Sequence, residues 1–436
     1  MGEDVDYYKI IHDEFDVEDR KALLRALRDV VADDEILQAV QDEDVFATSL
    51  LRGVSLAAIH DQFRRVLAGH AILTPFQFSY IQAGSEKTAA FELKFNVIAK
   101  ATPSTNVHVI TGRNGVGKTT LLNGMVEALR FTETTPQAAS GFCVMKSPFE
   151  DQIIPMPNDY FGRLVSVSFS AFDPFVPPAD RAQSKRAPAY MYVGMKNMRR
   201  EESSPRPPKS HKELAKDFVD SFKECLRPTK RVLWLAAVEC LSSDPNFKRM
   251  KLPSLLALDD VSALVKAAEI AEAMSSGHAI VLLTMTKLVE TVEEKTLVLL
   301  DEPESHLHPP LLSAFTRALA DLLHRRNGVA IVATHSPVVL QEVPKSCVWK
   351  IDRIGGQGQA ERPERETFGE NVGILTREVF NLEVSESGFH ELMKDAAESG
   401  ATYEDIVKQY RGQLGAEARA ILLGLIAQRD SENNKP

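Results

Sequence analysis

Gly112-Arg113-Asn114-Gly115-Val116-Gly117-Lys118-Thr119 is the stretch that decides the fold of this 436-residue chain. It has the form G-x-x-x-x-G-K-[ST], in which the glycines let backbone N–H groups turn inward around a phosphate. The β-branched run at 107–110 predicts a buried strand, and the run at 120–129 predicts a helix whose N-terminus faces the phosphate. Strand, loop and helix are the context that the motif needs, so we predict a P-loop and not an ordinary glycine-rich turn.

The chemistry of a P-loop assigns an expected role to each part of this stretch. Lys118 would reach the β- and γ-phosphates of ATP, and Thr119 would ligate Mg²⁺. The full set of residues expected to bind the nucleotide from this side is Gly112, Arg113, Asn114, Gly115, Val116, Gly117, Lys118, Thr119 and Thr120.

A second chemical motif follows the apolar run 297–300, which ends in Asp301 and Glu302. Four apolar residues and then an acid describe a buried strand that ends at a nucleotide. Asp301 is expected to hold the Mg²⁺ shell, directly or through water. Glu302 is the expected general base toward the water that attacks the γ-phosphate. An acidic turn after a core strand is the alternative, and the upstream P-loop disfavours it.

The order of four motifs along the chain resembles the ABC-type ATPases. The P-loop is followed by Ser275-Ser276-Gly277, then by Leu-Leu-Asp-Glu-Pro around Asp301, and then by Ala-Thr-His-Ser around His335. The run D-E-P-E-x-H-L-H-P at 301–309 is similar to the soluble SMC/RecF/OLD-like branch and not to transporter cassettes. The resemblance covers about residues 75–355.

This resemblance implies the second half of the site. Ser275, Ser276 and Gly277 would be the signature motif, which in this family meets the ATP held by a second subunit. His335 would be the switch histidine, which contacts the γ-phosphate and orients the attacking water. The implied cofactors are ATP and Mg²⁺, and the implied assembly is a homodimer or a higher oligomer.

Two positions depart from the family pattern. Met274 stands where the signature usually has leucine, and no clear Q-loop glutamine follows the predicted strand at 164–170. Ser170 or Asp173 is the weak candidate to approach the metal ion in its place. The resemblance therefore leaves open how the state of the nucleotide would be coupled to the helical part of the chain.

The sequence has only weak patterns of other metal-binding residues. By the same resemblance, His306 and His308 would lie near the dimer interface. Their H-x-H spacing could suggest a metal pair, but that spacing suits a strand and this segment reads as a loop. The four cysteines lack metal-binding spacing, so we expect reduced thiols in a cytoplasm.

The composition is that of a globular protein, with 44% hydrophobic and 26% charged residues. No run approaches the roughly 18 apolar residues of a membrane span, and the acidic N-terminus lacks a signal-peptide core, so we expect a cytoplasmic protein. Residues 1–50 carry 15 acidic against 5 basic residues, which reads as a solvated surface. Residues 181–230 carry 13 basic against 6 acidic residues, which leaves nucleic acid open as a partner.

The predicted fold class is α/β: an ABC-type ATPase head with a mixed central sheet, flanking helices, a helical insertion and helical extensions. We expect a helical N-terminal extension at 1–74, a core at 75–170 and 275–360, an inserted loop and helical subdomain at 171–274, and a helical C-terminal region at 361–436. Alternation at 76–81 and 91–97 predicts an antiparallel sheet. The span 131–158 reads as polar, and 174–210 reads as a loop.

The spacing of the motifs along the chain argues against the larger proteins of the same branch. Lys118 and Ser276 are 158 positions apart, which is too short for an inserted long coiled coil. Only 101 residues follow His335, with a helical pattern and no D-x-D, so no Toprim nuclease is expected. The chain resembles ATPase subunits of bacterial anti-phage systems, such as the Septu type, which control a separately encoded nuclease or toxin.

Two alternatives to that function stay open at this point. The altered signature and missing Q-loop glutamine favour a nucleotide-gated scaffold with little turnover, in which ATP locks an assembly that silences an effector. The basic stretch alone favours a DNA-repair head that acts directly on DNA.

Overall fold

The structure is a computed structural model that describes residues 1–51, 54, 56, 58–67, 74–85, 88–99, 101–130, 140–147, 150–169, 177–183, 187–196, 209–354, 357–385 and 388–433. In these ranges the strands are β1 (Phe76–Gln82), β2 (Phe91–Val97), β3 (Val107–Thr111), β4 (Gly141–Ser147), β5 (Glu150–Pro155), β6 (Arg163–Ser168), β7 (Ala189–Gly194), β8 (Thr296–Asp301), β9 (Val329–Thr334), β10 (Val348–Ile354) and β11 (Gln357–Glu361).

The α-helices of the described ranges are α1 (Val5–Glu14), α2 (Val17–Ala26), α3 (Asp34–Val40), α4 (Arg64–Leu67), α5 (Lys118–Arg130), α6 (His211–Cys225), α7 (Pro228–Leu241), α8 (Pro245–Met250), α9 (Asp260–Ala273), α10 (Ser276–Thr291), α11 (Pro309–Arg326), α12 (Pro337–Leu340), α13 (Val372–Ser385), α14 (Phe389–Glu398), α15 (Tyr403–Gln409) and α16 (Ala416–Asn433). Shorter 3-10 or π turns lie at Phe46–Leu50, Ala58–Phe63, Leu252–Ala257, Pro303–His306 and Lys345–Cys347. None of the described helices is both long enough and apolar enough to span a bilayer.

A seven-stranded sheet in the order β11-β10-β3-β9-β8-β6-β7 forms the centre of the fold. Only the β10–β11 pair is antiparallel, and the other neighbours run parallel. Every residue of β3, β8 and β9 is buried, as expected for the near-continuous apolar runs of a covered parallel sheet. The mixed α/β P-loop ATPase fold that the sequence predicted is confirmed.

Strand order brings three chain segments to one edge of this sheet. The strands β3, β9 and β8 are adjacent and parallel, so their carboxyl ends lie side by side. Thr111 is opposite Thr334, and Asp301 is opposite Ala333. The P-loop, the residue after Thr334 and the residue after Asp301 therefore leave the sheet at neighbouring points, where ligands of α/β folds commonly bind.

The helix that follows the P-loop, α5, lies between two sheets. It contacts β6, β8 and β9 of the central sheet and β1 and β4 of a second sheet with the order β2-β1-β4-β5. The predicted antiparallel pairing of 76–81 with 91–97 is confirmed by β1 and β2, in which Phe76 is opposite Val97. Aromatic side chains fill the space under this sheet, with Phe78 and Phe95 stacked at 5.1 Å between ring centres.

The loop prediction for 174–210 is wrong, and the span that reads as polar, 131–158, also contains strands. The span 174–210 contains β7, which pairs in parallel with β6 and so extends the central sheet into the range that we assigned to the insertion. The span 131–158 contains β4 and β5, which complete the second sheet. β7 and most of β4 are short apolar runs that lie within stretches rich in polar residues and proline, and this surrounding composition concealed them.

The contacts within the chain divide it into two compact units, residues 1–370 and residues 371–436. In the first unit, the helices α1 to α4 pack around Tyr8, whose hydroxyl donates to the buried Asp29 carboxylate at 2.9 Å, and Asp16 caps α2. In the second unit, α14 and α16 pack on each other around Met393 and Leu422. The domain boundaries that we expected from the sequence stay predictions.

Candidate functional site

The loop between β3 and α5 has the backbone of a phosphate cradle. Gly115 and Gly117 have φ angles of 78° and 106°, which side chains rarely tolerate, and this explains the glycines at these positions. Lys118 opens α5 and is buried, and its Nζ donates to the carbonyl oxygens of Gly112 at 3.0 Å and of Arg113 at 3.1 Å. The ammonium group therefore lies inside the curve of the loop.

The strand β8 ends the apolar run at Asp301, which is buried, and passes into Glu302. Glu302 has the left-handed angles φ 44° and ψ 60°, and its N–H donates to the Ala333 carbonyl at 2.9 Å. A left-handed backbone is uncommon outside glycine, and such strained residues cluster at functional sites. The bend directs the Glu302 side chain toward the P-loop, where burial lowers the pKa of Lys118 and the negative charge of the Glu302 carboxylate acts to raise it.

Glu304, for which the sequence predicted no role, organises the end of β9. Its Oε1 accepts hydrogen bonds from the Thr334 hydroxyl and from the His335 N–H, both at 2.6 Å. The same oxygen lies 3.0 Å from His335 Nδ1, and the nearest Glu302 oxygen lies 3.8 Å from that nitrogen. Glu304 follows the Walker B pair by two positions, and nothing in that spacing tells which way its side chain faces.

The charges of this edge act on one another. The Glu302 carboxylate is the main cause of the raised pKa of His335, with Glu304 adding to it and burial opposing it. At 3.8 Å the attraction to Glu302 is an ion-pair contact and not a hydrogen bond. His335 in turn lowers the pKa of Glu302. Burial lowers the pKa of Lys118, and Glu302, Glu304 and Asp301 oppose that effect, so the structure brings these groups together.

The predicted signature residues form a separate cluster. Ser275 is the N-cap of α10, and Ser275 and Ser276 are both exposed. A Cβ on Gly277 would come within 2.8 Å of the His306 carbonyl oxygen, so glycine allows the start of α10 to pack on the turn after the Walker B strand. The contacts of Gly277 within its own chain therefore go to the segment at His306.

Some predicted residues have no described placement. Ser170 and Asp173, the weak candidates for the missing Q-loop residue, lie outside the described ranges. The same holds for 197–208 within the basic stretch 181–230.

Thr119 and Thr120 occupy the first turn of α5, Thr119 partly buried and Thr120 exposed.

A protein-family model described as "AAA domain, putative AbiEii toxin, Type IV TA system" matches residues 146–341. That range contains Ser275–Gly277, Asp301, Glu302 and His335, and it begins after the P-loop. The match, the P-loop and the strand order agree on a P-loop ATPase domain.

Solved structures with some similarity include ATP-binding proteins. A nucleotide-free ATP-binding cassette from an ABC transporter is 12% identical, covers 71% of this chain and 96% of its own, and has a TM-score of 0.33. UvrA2 from Deinococcus radiodurans is 15% identical, covers 73% of this chain and 42% of its own, and also has a TM-score of 0.33. Similarity at this level adds nothing to the fold assignment, which rests on the P-loop and the strand order.

Sequence comparison finds a much nearer relative. Protein ea59 of Escherichia phage lambda is 46% identical over an alignment of 451 positions, which covers 99% of this chain and 83% of the phage protein. Identity at this level over nearly the whole chain reflects common descent. The chain therefore belongs to the family of the phage lambda protein ea59.

Proposed function

We propose that this protein binds ATP with Mg²⁺ and hydrolyses it to ADP and phosphate. The observation that carries the proposal is the meeting of Lys118, Asp301, Glu302 and His335 at one edge of the parallel sheet. A cation inside the loop, a carboxylate at the end of the Walker B strand and a histidine between carboxylates are the groups that phosphoryl transfer to water needs.

Each group has a defined task in the proposed reaction. The loop N–H groups and Lys118 would hold the β- and γ-phosphates in place of the loop carbonyls that Lys118 now contacts. Thr119 and Asp301 would hold Mg²⁺, which neutralises charge on the phosphates. Glu302 would accept a proton from the attacking water, and its lowered pKa keeps it a carboxylate at neutral pH. Glu304 would position His335 toward the γ-phosphate.

The substitution Glu302→Gln tests this assignment. It keeps the shape of the side chain but removes the base, so we expect ATP turnover to fall by about 100-fold or more while ATP binding is retained. Turnover is measured by phosphate release at high protein concentration, and binding by titration with ATP and Mg²⁺.

Glu269→Gln is the matched control, because Glu269 is an exposed carboxylate on α9 that pairs with Lys266. We expect it to turn over ATP like the unmodified protein. Absence of turnover in the unmodified protein, or equal turnover in Glu302→Gln, would contradict hydrolysis by this site. Nucleotide-dependent assembly without turnover would instead favour the nucleotide-gated scaffold.

We further propose that ATP joins two copies of the chain. Ser275 and Ser276 are exposed at the N-terminus of the 16-residue helix α10, where N–H groups and the helix dipole favour a phosphate. Gly277 packs on the chain's own loop at His306. This arrangement suits a signature that completes the nucleotide site of a second copy.

The proposed biological role is control of a separately encoded effector, a nuclease or toxin, in defence against phages. Two findings support it: the matched family model is described as a putative toxin of a toxin–antitoxin system, and the relative ea59 belongs to a phage genome.

The defence role is tested in cells that carry this gene with its natural neighbours. We expect phages to form fewer plaques on these cells, and Lys118→Ala to restore plating because ATP binding is lost. A plating efficiency that is the same with and without the gene cluster, across a diverse phage panel, would contradict this role.

A further inference from the structure

Three side chains that the ATPase assignment does not use converge beside the signature. Asp244 is the buried N-cap of α8, His278 lies in the first turn of α10, and His308 is the residue before α11. His308 Nε2 is 3.2 Å from Asp244 Oδ2, and His278 Nε2 is 3.5 Å from Asp244 Oδ1. One ligand atom from each residue lies within 4.8 Å of the other two.

We propose that Asp244, His278 and His308 bind one divalent transition-metal ion, for which Zn²⁺ is the best chemical match. Two imidazoles and a carboxylate form a ligand set that zinc uses in proteins, whereas Mg²⁺ and Ca²⁺ prefer oxygen ligands. Two ligand atoms that bind zinc tetrahedrally at about 2.0–2.1 Å lie roughly 3.3 Å apart. Each histidine nitrogen lies near that separation from one oxygen of Asp244, His308 Nε2 from Oδ2 at 3.2 Å and His278 Nε2 from Oδ1 at 3.5 Å.

The surroundings of Asp244 hold its carboxylate in place. Oδ1 accepts the N–H groups of Asn246 at 2.8 Å and of Phe247 at 3.1 Å, as an N-cap does. These bonds fix the side chain at a buried position between the two rings. Supporting hydrogen bonds of this kind orient metal-binding carboxylates and tune their affinity.

His278 is oriented in the way typical of a metal-binding imidazole. Its Nδ1 is 2.6 Å from Ser275 Oγ, and in the tautomer in which Nδ1–H donates to that oxygen, Nε2 presents a lone pair to the cluster. The donor nitrogen of Asn246 lies 3.4 Å from Nε2, which agrees with a lone pair there. A lone pair that faces a carboxylate is unfavourable unless a cation lies between them.

His308 completes the set from the solvent side. Its side chain is about half exposed, so its ring can rotate, and one ring nitrogen of His308 lies within 4.8 Å of one ring nitrogen of His278. Three protein ligands leave a position for water. The ion would tie the start of α10, which carries the signature, to the start of α11 and to α8. This site is distinct from the proposed Mg²⁺ ligands Thr119 and Asp301.

Zinc titration of the full-length chain tests the proposal. After metal removal with a chelator, we expect the unmodified protein to bind one Zn²⁺ per chain by calorimetry, and Co²⁺ to give the intense visible spectrum of a tetrahedral site. His308→Ala and Asp244→Asn should weaken zinc binding by about 10–100-fold or more, because even losses in the supporting shell cost that much.

These variants are chosen to fold. His308 is exposed, and asparagine is as good an N-cap as aspartate, so Asp244→Asn keeps the cap of α8. His306→Ala is the matched control: it removes an exposed histidine from the same turn but no member of the cluster. Zinc binding that is absent from the unmodified protein, equal in His308→Ala, or lost equally in His306→Ala would overturn the proposal.

Discussion

His335 lies between two carboxylates, which raise its pKa and so favour its protonated form when no nucleotide is bound. Glu304 holds its backbone N–H and is the nearer carboxylate to Nδ1, while Glu302 is the larger influence on its pKa. A histidine that keeps its proton can donate to the γ-phosphate. When ATP binds, the phosphate would compete with both carboxylates for that proton, which would release Glu302 toward the attacking water.

The substitution Glu304→Gln tests the electrostatic part of this arrangement. The amide keeps an oxygen that can accept from Thr334 and His335 but removes the negative charge. We therefore expect the pKa of His335 to fall toward its ordinary value of 6.5 and to stay above it only through Glu302. Titration of the His335 ring by NMR in isotope-labelled protein measures this, with His335→Gln used for assignment. Glu342→Gln is the control, since Glu342 accepts from Ser313; an unchanged pKa in Glu304→Gln would refute the arrangement.

The same pair gives stability a defined dependence on pH. The raised pKa of His335 gives stabilisation that is complete below about pH 6.5 and is lost as the pH rises through the folded pKa. The lowered pKa of Glu302 gives stabilisation that is present above 4.5 and is lost as the pH falls through its folded pKa. The difference in unfolding free energy between the unmodified protein and His335→Gln should therefore be largest between these limits and shrink on the alkaline side.

At the scale of elements, the segment between β8 and α11 joins two clusters. Glu302 and Glu304 face the P-loop cluster, while His306 packs on Gly277 and His308 joins Asp244 beside the signature. Six positions separate Glu302 from His308, so a short segment links the Walker B glutamate to the residues that lie beside the start of α10. The metal ion that we propose would stiffen the signature end of this connection.

The elements that carry the P-loop and Walker B residues could be predicted from sequence because their patterns are strong. Runs such as 297–300 are apolar at every position, which specifies a buried parallel strand, and their polar ends mark the edge where the site lies. Neighbouring parallel strands then bring their ends together without any further information.

The parts that the sequence did not predict depend on contacts between distant residues. β7 is a short apolar run inside a stretch rich in proline and charge, and its pairing with β6 places it in the central sheet. Asp244, His278 and His308 come from three separate helix starts, so no spacing motif links them. Glu304 has its role because of the hydrogen bonds of Thr334, a residue 30 positions away.

At the scale of the whole molecule, one chain contains both the P-loop cluster and the predicted signature. The two serines of the signature are exposed, and Gly277 packs on the chain's own segment at His306. Two copies that face each other would place each signature on the other's nucleotide. Dimerisation should then depend on bound ATP and on the exposed first turn of α10, and hydrolysis should reverse it.

Measurement of solution mass tests the dimer in full. With ATP and Mg²⁺, Glu302→Gln should hold the bound nucleotide and shift from 48.3 kDa to about twice that mass, because hydrolysis no longer separates the subunits. Adding Ser276→Glu should keep the mass at that of one chain, since a carboxylate would face the γ-phosphate, while ATP binding by the P-loop persists. Ser262→Glu, a matching change in the first turn of α9, should still dimerise. A mass that ignores ATP, or a dimer that forms equally with Ser276→Glu, would mean that the signature does not complete the site of a second chain.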